Sequence, residues 1–166
     1  DGVATLAVYN GELYAGVSEV TSINSSVWKY NGTSWTKVGG NSMASSWGDG
    51  TYPHLNAMAV YNGELYLGTG NVAAGSGDVW RYNGTSWGQV AGDGINNSWA
   101  ANTIETVVSL TAFKGKLYAG TGTTANTDAY VWSIGNNTYL ESSTSSFANS
   151  WSHFAVTNDG GTAKMY

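Results

Sequence analysis

The stretch VWRYNGTSWGQV, from Val79 to Val90, decides the fold because the chain repeats it. The phrase VWKYNGTSWTKV stands 52 residues earlier, from Val27 to Val38, and a more diverged copy, VWSIGNNTYLES, begins 52 residues later at Val131. Each copy has two short runs rich in β-branched and aromatic residues around an Asn-Gly or Gly-Asn-Asn centre. This pattern is typical of a β-hairpin.

A second hairpin pattern precedes each copy. It reads LAVYNGELYAG from Leu6 to Gly16, and it recurs from Met58 and from Leu110 at the same 52-residue interval. Asn-Gly occupies the turn in the first two copies and Lys114-Gly115 in the third, so that Gly always serves the position that needs a positive φ. The sequence therefore predicts four short strands in every repeat.

Each repeat closes with a patterned connector. Ser-Trp stands at Ser46-Trp47, Ser98-Trp99 and Ser150-Trp151, and an apolar residue lies four positions before each Trp, namely Met43, Ile95 and Phe147. We expect these connectors to be packed. A fourth copy begins at Phe154 and reaches Tyr166, which aligns with Tyr14, Tyr66 and Tyr118.

Two hairpins per repeat, with turn signals and no helical periodicity, predict an all-β protein made of β-propeller blades of four antiparallel strands. The predicted blades span residues 1–52, 53–104 and 105–153, with a partial fourth blade at 154–166. Propellers close with about four to eight blades, so we expect either copies of the chain or the remainder of a longer chain to complete the ring. An open stack of blades or a β-solenoid is the structural alternative.

The pattern AVYNGELYLGTG followed by VWRYNGTSW resembles the kelch motif of galactose-oxidase-type β-propellers. The resemblance extends over three full copies and implies propeller architecture rather than one function, because this fold hosts many activities. Kelch strands usually end in Gly-Gly, whereas Gly68-Thr69-Gly70 stands here. The GTSW turn also resembles the Asp-box of sialidase propellers, but Tyr30 and Tyr82 replace its Asp.

Composition narrows the function classes. The net charge is −5 and the six basic residues are scattered, which disfavours nucleic-acid binding, since phosphate backbones need a basic stripe. No apolar run approaches the ~20 residues of a membrane span. The absence of Cys excludes thiolate metal sites and the Cys-dependent copper-radical chemistry of one kelch-like family, and we expect no cofactor and no metal. A polar but weakly charged composition, with charged residues at 10 %, favours a secreted, extracellular protein.

Most aromatic residues recur at the repeat interval, which favours packing between blades. The candidate carbohydrate contacts are the tryptophans of the connectors and two aromatic residues that have no counterpart in the other copies, because sugar sites combine an aromatic face with polar side chains in loops. These candidates are Trp47, Trp99, Trp151, Tyr52 and Tyr130, the last two being interpreted as loop aromatics. Structural wedging of the three connector Trp residues is the alternative.

An enzyme is disfavoured. Hydrolysis of glycosides needs paired carboxylates, and Glu12 and Glu64, although in register, are interpreted as solvated charges beside the hairpin turn. A sialidase-type site needs an arginine cluster, and Arg81 is the only arginine. Sequons for N-glycosylation stand at Asn24, Asn31, Asn83, Asn96 and Asn136.

The sequence thus supports a non-enzymatic extracellular structural or adhesive repeat protein that self-associates or belongs to a longer propeller. A carbohydrate-binding, lectin-like propeller is the alternative, and a glycan-active enzyme is third. The expected partners are copies of the chain itself or glycans.

Overall fold

The computed structural model describes residues 2–19, 21, 24–48, 50–71, 75–92, 94–99, 104–123, 129–134, 138–141, 156–158 and 163–165. Its strands in chain order are β1 Gly2–Tyr9, β2 Glu12–Ser18, β3 Ser26–Tyr30, β4 Trp35–Gly39, β5 His54–Tyr61, β6 Glu64–Gly70, β7 Val79–Tyr82, β8 Trp87–Ala91, β9 Thr106–Phe113, β10 Lys116–Gly122, β11 Ala129–Ile134, β12 Thr138–Glu141, β13 Val156–Asn158 and β14 Ala163–Met165. Single 3₁₀ turns at Met43–Ser45 and Ile95–Asn97 are the only helical elements in this described part, and none of its helices could span a membrane.

The first hairpin of each repeat has the predicted two-residue turn. Asn10 and Gly11 have φ angles of 50° and 76°, and the turns at Asn62-Gly63 and Lys114-Gly115 repeat these values within a few degrees. Two positive φ angles define the type I′ turn, whose twist matches that of the strands it joins. Lys114 adopts this conformation too, at φ 45°, which a lysine rarely does.

The second hairpin uses Asn differently from the prediction of an Asn-Gly turn. Asn31 has no positive φ; its side-chain Oδ1 accepts hydrogen bonds from the backbone N–H groups of Thr33 and Ser34, both at 2.9 Å. Asn83 makes the same two bonds in the second repeat. The turn is therefore a longer Asx-type turn, in which the Asn side chain supplies the acceptor.

Each full repeat forms a four-stranded antiparallel unit in chain order, which confirms the all-β fold with propeller blades. Blade 1 is β1–β4, blade 2 is β5–β8 and blade 3 is β9–β12. Blades 2 and 3 are connected by one ladder pair, Gly70 with Thr106. The first strands β1, β5 and β9 lie side by side, as the inner strands of a propeller do, and β13 pairs with β14.

Each blade has two faces, which the strand registers define. The leading face, turned towards the preceding blade, carries in blade 1 Val3, Leu6, Leu13, Trp28, Tyr30 and Trp35, and their equivalents 52 and 104 residues later. The trailing face, turned towards the next blade, carries Tyr9, Glu12, Tyr14, Gly16, Val27 and Lys29, and their equivalents. The core lies where the trailing face of one blade meets the leading face of the next.

Two buried clusters show this arrangement directly. Between blades 1 and 2, Tyr14 and Val27 pack with Leu55, Leu65 and Leu67. Between blades 2 and 3, the equivalent residues Tyr66 and Val79 pack with Val107, Leu117 and Ala119. Such layers exclude water from both sides of a small sheet, which a lone four-stranded blade cannot do.

Candidate functional site

Trp47 and Trp99, the connector tryptophans of the first two repeats, lie inside the core. Trp47 and Trp99 are each 3 % exposed, and their indole Nε1 groups donate to backbone carbonyls, to Ser25 at 3.2 Å and to Gly77 at 2.8 Å. Trp47 also meets Trp80 of the next blade edge-to-face at 5.6 Å. Neither indole offers a face to a ligand in this arrangement, which favours the wedging alternative for these two residues.

The connectors are held by their serines, as the repeated Ser-Trp pattern indicated. Ser46 Oγ accepts from the Gly40 N–H and Ser98 Oγ from the Gly92 N–H, both at 2.8 Å. Met43, the apolar residue four positions before Trp47, is packed less closely than expected, since it is 42 % exposed. The third connector, with Trp151 and Phe147, lies outside the described residues.

Of the two aromatics without counterparts, Tyr52 lies in a loop, as predicted, and Tyr130 does not. Tyr52 is buried, and its hydroxyl donates to Oδ2 of the buried Asp78 in blade 2, while Ser25 Oγ donates to the Tyr52 carbonyl. The interpretation of Tyr130 as a loop residue is wrong: it is the second residue of β11, half-buried, at the repeat position of Asp78. Sequence spacing alone could not pair Tyr52 with Asp78, because neither residue recurs.

The sequons differ in their surroundings. Asn31, Asn83 and Asn96 are exposed, but the side chains of Asn31 and Asn83 stabilise their turns, and Asn96 Nδ2 donates to the Val90 carbonyl at 3.0 Å. Asn24 is half-buried, and Asn136 lies outside the described residues. None of the three exposed sequons lies in the core.

A polar cluster that the sequence interpretation missed lies at the crevice between successive blades. In blade 1, Lys29 Nζ donates to both carboxylate oxygens of Glu12, at 3.0 and 3.2 Å. In blade 2, Arg81 and Glu64 form the equivalent ion pair at 3.6 Å. The missed signal was the register of the cations, since Lys29 and Arg81 are also 52 residues apart.

Tyrosine rings line the same crevice. Around the first ion pair the ring of Tyr9 lies 5.5 Å from that of Tyr14, and both rings lie 6.3 Å from Tyr82 of the next blade. Around the second pair, Tyr61 and Tyr66 lie 5.9 Å apart, and the Tyr61 hydroxyl donates to the Gly115 carbonyl of blade 3 at 2.7 Å. We call these two sets of residues the crevice clusters.

Burial determines the electrostatics of the crevice clusters. It raises the pKa of Tyr14 to about 12, helped by the neighbouring Tyr82 and Glu12. Burial likewise raises the pKa of Tyr66, with Glu64 adding to the effect, and the pKa of Tyr82. These phenols therefore stay neutral in ordinary solution, while the charged groups beside them remain one-quarter to one-half exposed.

The clusters offer carboxylate acceptors and ammonium or guanidinium donors within reach of solvent, whereas the rings of Tyr9, Tyr14, Tyr66 and Tyr82 are buried and that of Tyr61 is half-buried. The charged groups can hydrogen-bond neighbouring hydroxyl groups in both directions. Each cluster has one carboxylate, already paired with a cation, and the described part of the chain holds no group of three or more His, Asp or Glu side chains placed to bind a metal.

Comparisons with known proteins add little beyond this geometry. No protein-family model and no curated protein matches the sequence. Among solved structures, the chain is similar to the WD40 β-propeller domain of Doa1, with 15 % identity and a TM-score of 0.44 over 84 % of this chain and 39 % of that one. It is also similar to a fucose lectin from Kordia zhangzhouensis, solved with methyl-fucoside, with 7 % identity and a TM-score of 0.48 over 84 % and 97 %. These identities assign the chain to neither family, and the chain spans about two-fifths of the Doa1 domain.

Proposed function

We propose that this chain is a non-enzymatic, extracellular β-propeller module that binds carbohydrate at its crevice clusters. The observation that carries the proposal is recurrence: the same ion pair beside the same tyrosines stands in two successive crevices. An exposed ion pair contributes little to folding, about 0.2–1 kcal/mol, so stability alone is a weak reason to repeat it. The proposed carbohydrate site therefore lies at the crevices and not, as predicted from the sequence, at the connector tryptophans.

The chemistry of the cluster fits a sugar better than other small ligands. A neutral polyol needs acceptors and donors side by side, and the partly exposed Glu–Lys and Glu–Arg pairs supply both. A purely anionic ligand would meet the carboxylate of Glu12 or Glu64, and a cation would meet Lys29 or Arg81. Two sites in one chain also favour multivalent attachment to a glycan surface.

We also propose that the repeat is kelch-like and that the chain acts without catalysis. The kelch-like pattern lies on the β5–β6 and β7–β8 hairpins of blade 2, where Gly68 lies close against Val107 of blade 3 and Trp87 packs against blade 1. Glycoside hydrolysis requires two carboxylates about 5–10 Å apart around one bond. Each crevice cluster supplies a single carboxylate, so a glycan-active enzyme stays the third candidate.

Binding of methyl glycosides tests the proposal. The unmodified chain is titrated with the methyl glycosides of fucose, galactose, mannose and N-acetylglucosamine, and binding is followed by saturation-transfer NMR and calorimetry. We expect at least one glycoside to bind, and the double variant Glu12→Gln with Glu64→Gln to bind it at least about tenfold more weakly. Lys37→Gln, which removes a charge on the opposite face of the sheet, is the matched control and should bind normally.

Two outcomes contradict this function. One is the failure of every glycoside in the panel to bind. The other is binding that the double variant leaves unchanged, which would place a sugar site outside the clusters. A structural role in a larger assembly is the second candidate, and a separate observation favours it: the leading face of blade 1 is exposed.

A further inference from the structure

Apolar residues are exposed on the leading face of blade 1. In the described parts of blades 2 and 3, the preceding blade buries the residues at the same repeat positions. Val3 is 61 % exposed, whereas Leu55 and Val107, at the same position of blades 2 and 3, are 0 % exposed. Trp35 is 47 % exposed, whereas Trp87 is 4 % exposed. Leu6 is 57 % exposed, and its equivalents Met58 and Leu110 are packed against the buried clusters.

The contacts of the equivalent residues show what covers this face. Trp87 donates its indole N–H to the Val38 carbonyl of blade 1 at 2.8 Å. It lies so close to Gly39 that a Cβ added there would meet the indole nitrogen at 2.9 Å. Tyr82 packs between Tyr9 and Tyr14 of blade 1. In each crevice the covering surface is the trailing face of another copy of the same repeat.

Blade 3, the last full repeat, carries such a trailing face with exposed apolar residues, although the hairpin β13–β14 of the partial fourth copy follows it in the chain. In blade 3, Phe113 is 58 % exposed and Val131 46 % exposed. Their equivalents in blade 1, Tyr9 and Val27, are 3 % and 0 % exposed because blade 2 covers them. One chain thus presents both halves of the interface that it already uses twice internally.

We propose that the leading face of blade 1 binds the trailing face of blade 3 of a second copy of this chain. The interface continues the blade-to-blade packing seen within the chain. By repeat equivalence, Tyr30 of one copy meets Phe113 and Tyr118 of the other, as Tyr82 meets Tyr9 and Tyr14. Leu6 lies over Gly120, as Met58 lies 3.3 Å from a Cβ built on Gly16.

The geometry of this contact is head-to-tail. Such a heterologous interface joins two different surfaces, so it closes into a ring or propagates into a filament. Two copies bring six full repeats besides the partial fourth copy of each chain, and six blades lie within the range of about four to eight that close a propeller. A ring of two chains is therefore the expected assembly, and it is independent of carbohydrate binding at the crevice clusters of either chain.

Light scattering coupled to gel filtration tests the assembly with the unmodified chain over a concentration series. The expected mass is twice the 17.4 kDa of one chain. Leu6→Glu places a charge on the proposed interface and should raise the dissociation constant at least about tenfold. Val60→Glu makes the same kind of change at a 39 % exposed position of blade 2 and should leave the mass unchanged.

Cross-linking tests the direction of the contact, because the chain has no natural Cys. Tyr30→Cys and Phe113→Cys are prepared as separate variants and treated with a short bismaleimide. The head-to-tail contact predicts cross-linked dimers in the mixture of the two variants and none in either variant alone. Circular dichroism of each variant checks that it is folded.

Four results would overturn the proposal. A monomer at all concentrations would mean that a preceding blade of a longer chain, or another protein, occupies the face. An oligomer that Leu6→Glu does not weaken would place the interface elsewhere. Cross-links within a single variant would indicate a symmetric, isologous contact, and the absence of cross-links in the mixture would exclude the predicted pairing.

Discussion

Trp35 and Trp87 are the same residue at the same position of successive repeats, and replacing each by Ala should have very different effects. Trp87 is 4 % exposed, lies against Tyr82 with ring centroids 4.8 Å apart, and hydrogen-bonds the Val38 carbonyl. Loss of a buried Trp costs about 3–5 kcal/mol, and the Val38 carbonyl would lose its indole partner as well. We therefore expect Trp87→Ala to lower the free energy of unfolding by at least about 4 kcal/mol.

Trp35→Ala should cost about 2 kcal/mol, because roughly half of its indole surface is already in water and its main neighbour is Tyr30 at 5.1 Å. In a chain of this size about 1 kcal/mol shifts Tm by about 2–4 °C, so Trp87→Ala should melt at least about 4 °C below Trp35→Ala. Thermal and urea unfolding followed by far-UV circular dichroism, in the Leu6→Glu background to keep the chain monomeric, measures the difference. Equal losses for the two variants would refute the assignment of leading and trailing faces.

Three further predictions concern the crevices and the connectors. Burial raises the pKa of Tyr14 from 10.0 to about 12, so the stability that the neutral Tyr14 side chain contributes is complete below pH 10 and is lost as the pH rises towards 12. Tyr14→Phe should therefore flatten the fall in unfolding free energy over that window, as measured by urea unfolding at pH 9 and 11. An unchanged slope would contradict the assignment. Glu12→Gln should lower the unfolding free energy by less than about 1 kcal/mol, because the ion pair with Lys29 is partly exposed, and a larger loss would mean that the cluster is structural. Gly92→Ala should prevent normal folding, since a Cβ there would overlap the Asp78 carboxylate and φ is 117°. Gly88→Ala, with nothing within 4 Å of its Cβ, should leave Tm within about 2 °C of the unmodified chain.

The repeat was sufficient to predict the architecture because hairpin signals are local. Asn10-Gly11 determines its own turn whatever surrounds it, and the spacing carries that turn to Asn62-Gly63 and Lys114-Gly115. The packed connectors followed from the same regularity, and Trp47 and Trp99 are buried accordingly. The turn of the second hairpin was less predictable, because Asn31 could form it either by adopting a positive φ or by accepting backbone hydrogen bonds with its side chain.

The candidate site depended on contacts that cross between strands and blades. Glu12 and Lys29 are far apart in sequence, and the register of β2 with β3 is what brings them onto one face. The exposure of Trp35 could not be inferred from its neighbours, since Trp87 stands in almost the same sequence and is buried. The pairing of Tyr52 with Asp78 was similarly out of reach, because it occurs in one crevice of the described chain and leaves no repeat signature.

Hydroxyl-radical footprinting with mass spectrometry tests most directly whether a preceding blade is what buries each leading face. In dilute solution the account predicts that Trp35 is oxidised several-fold faster than Trp87, and that Trp35 alone of the two becomes protected as the chain is concentrated and its copies associate. Equal oxidation of Trp35 and Trp87 in dilute solution would contradict it.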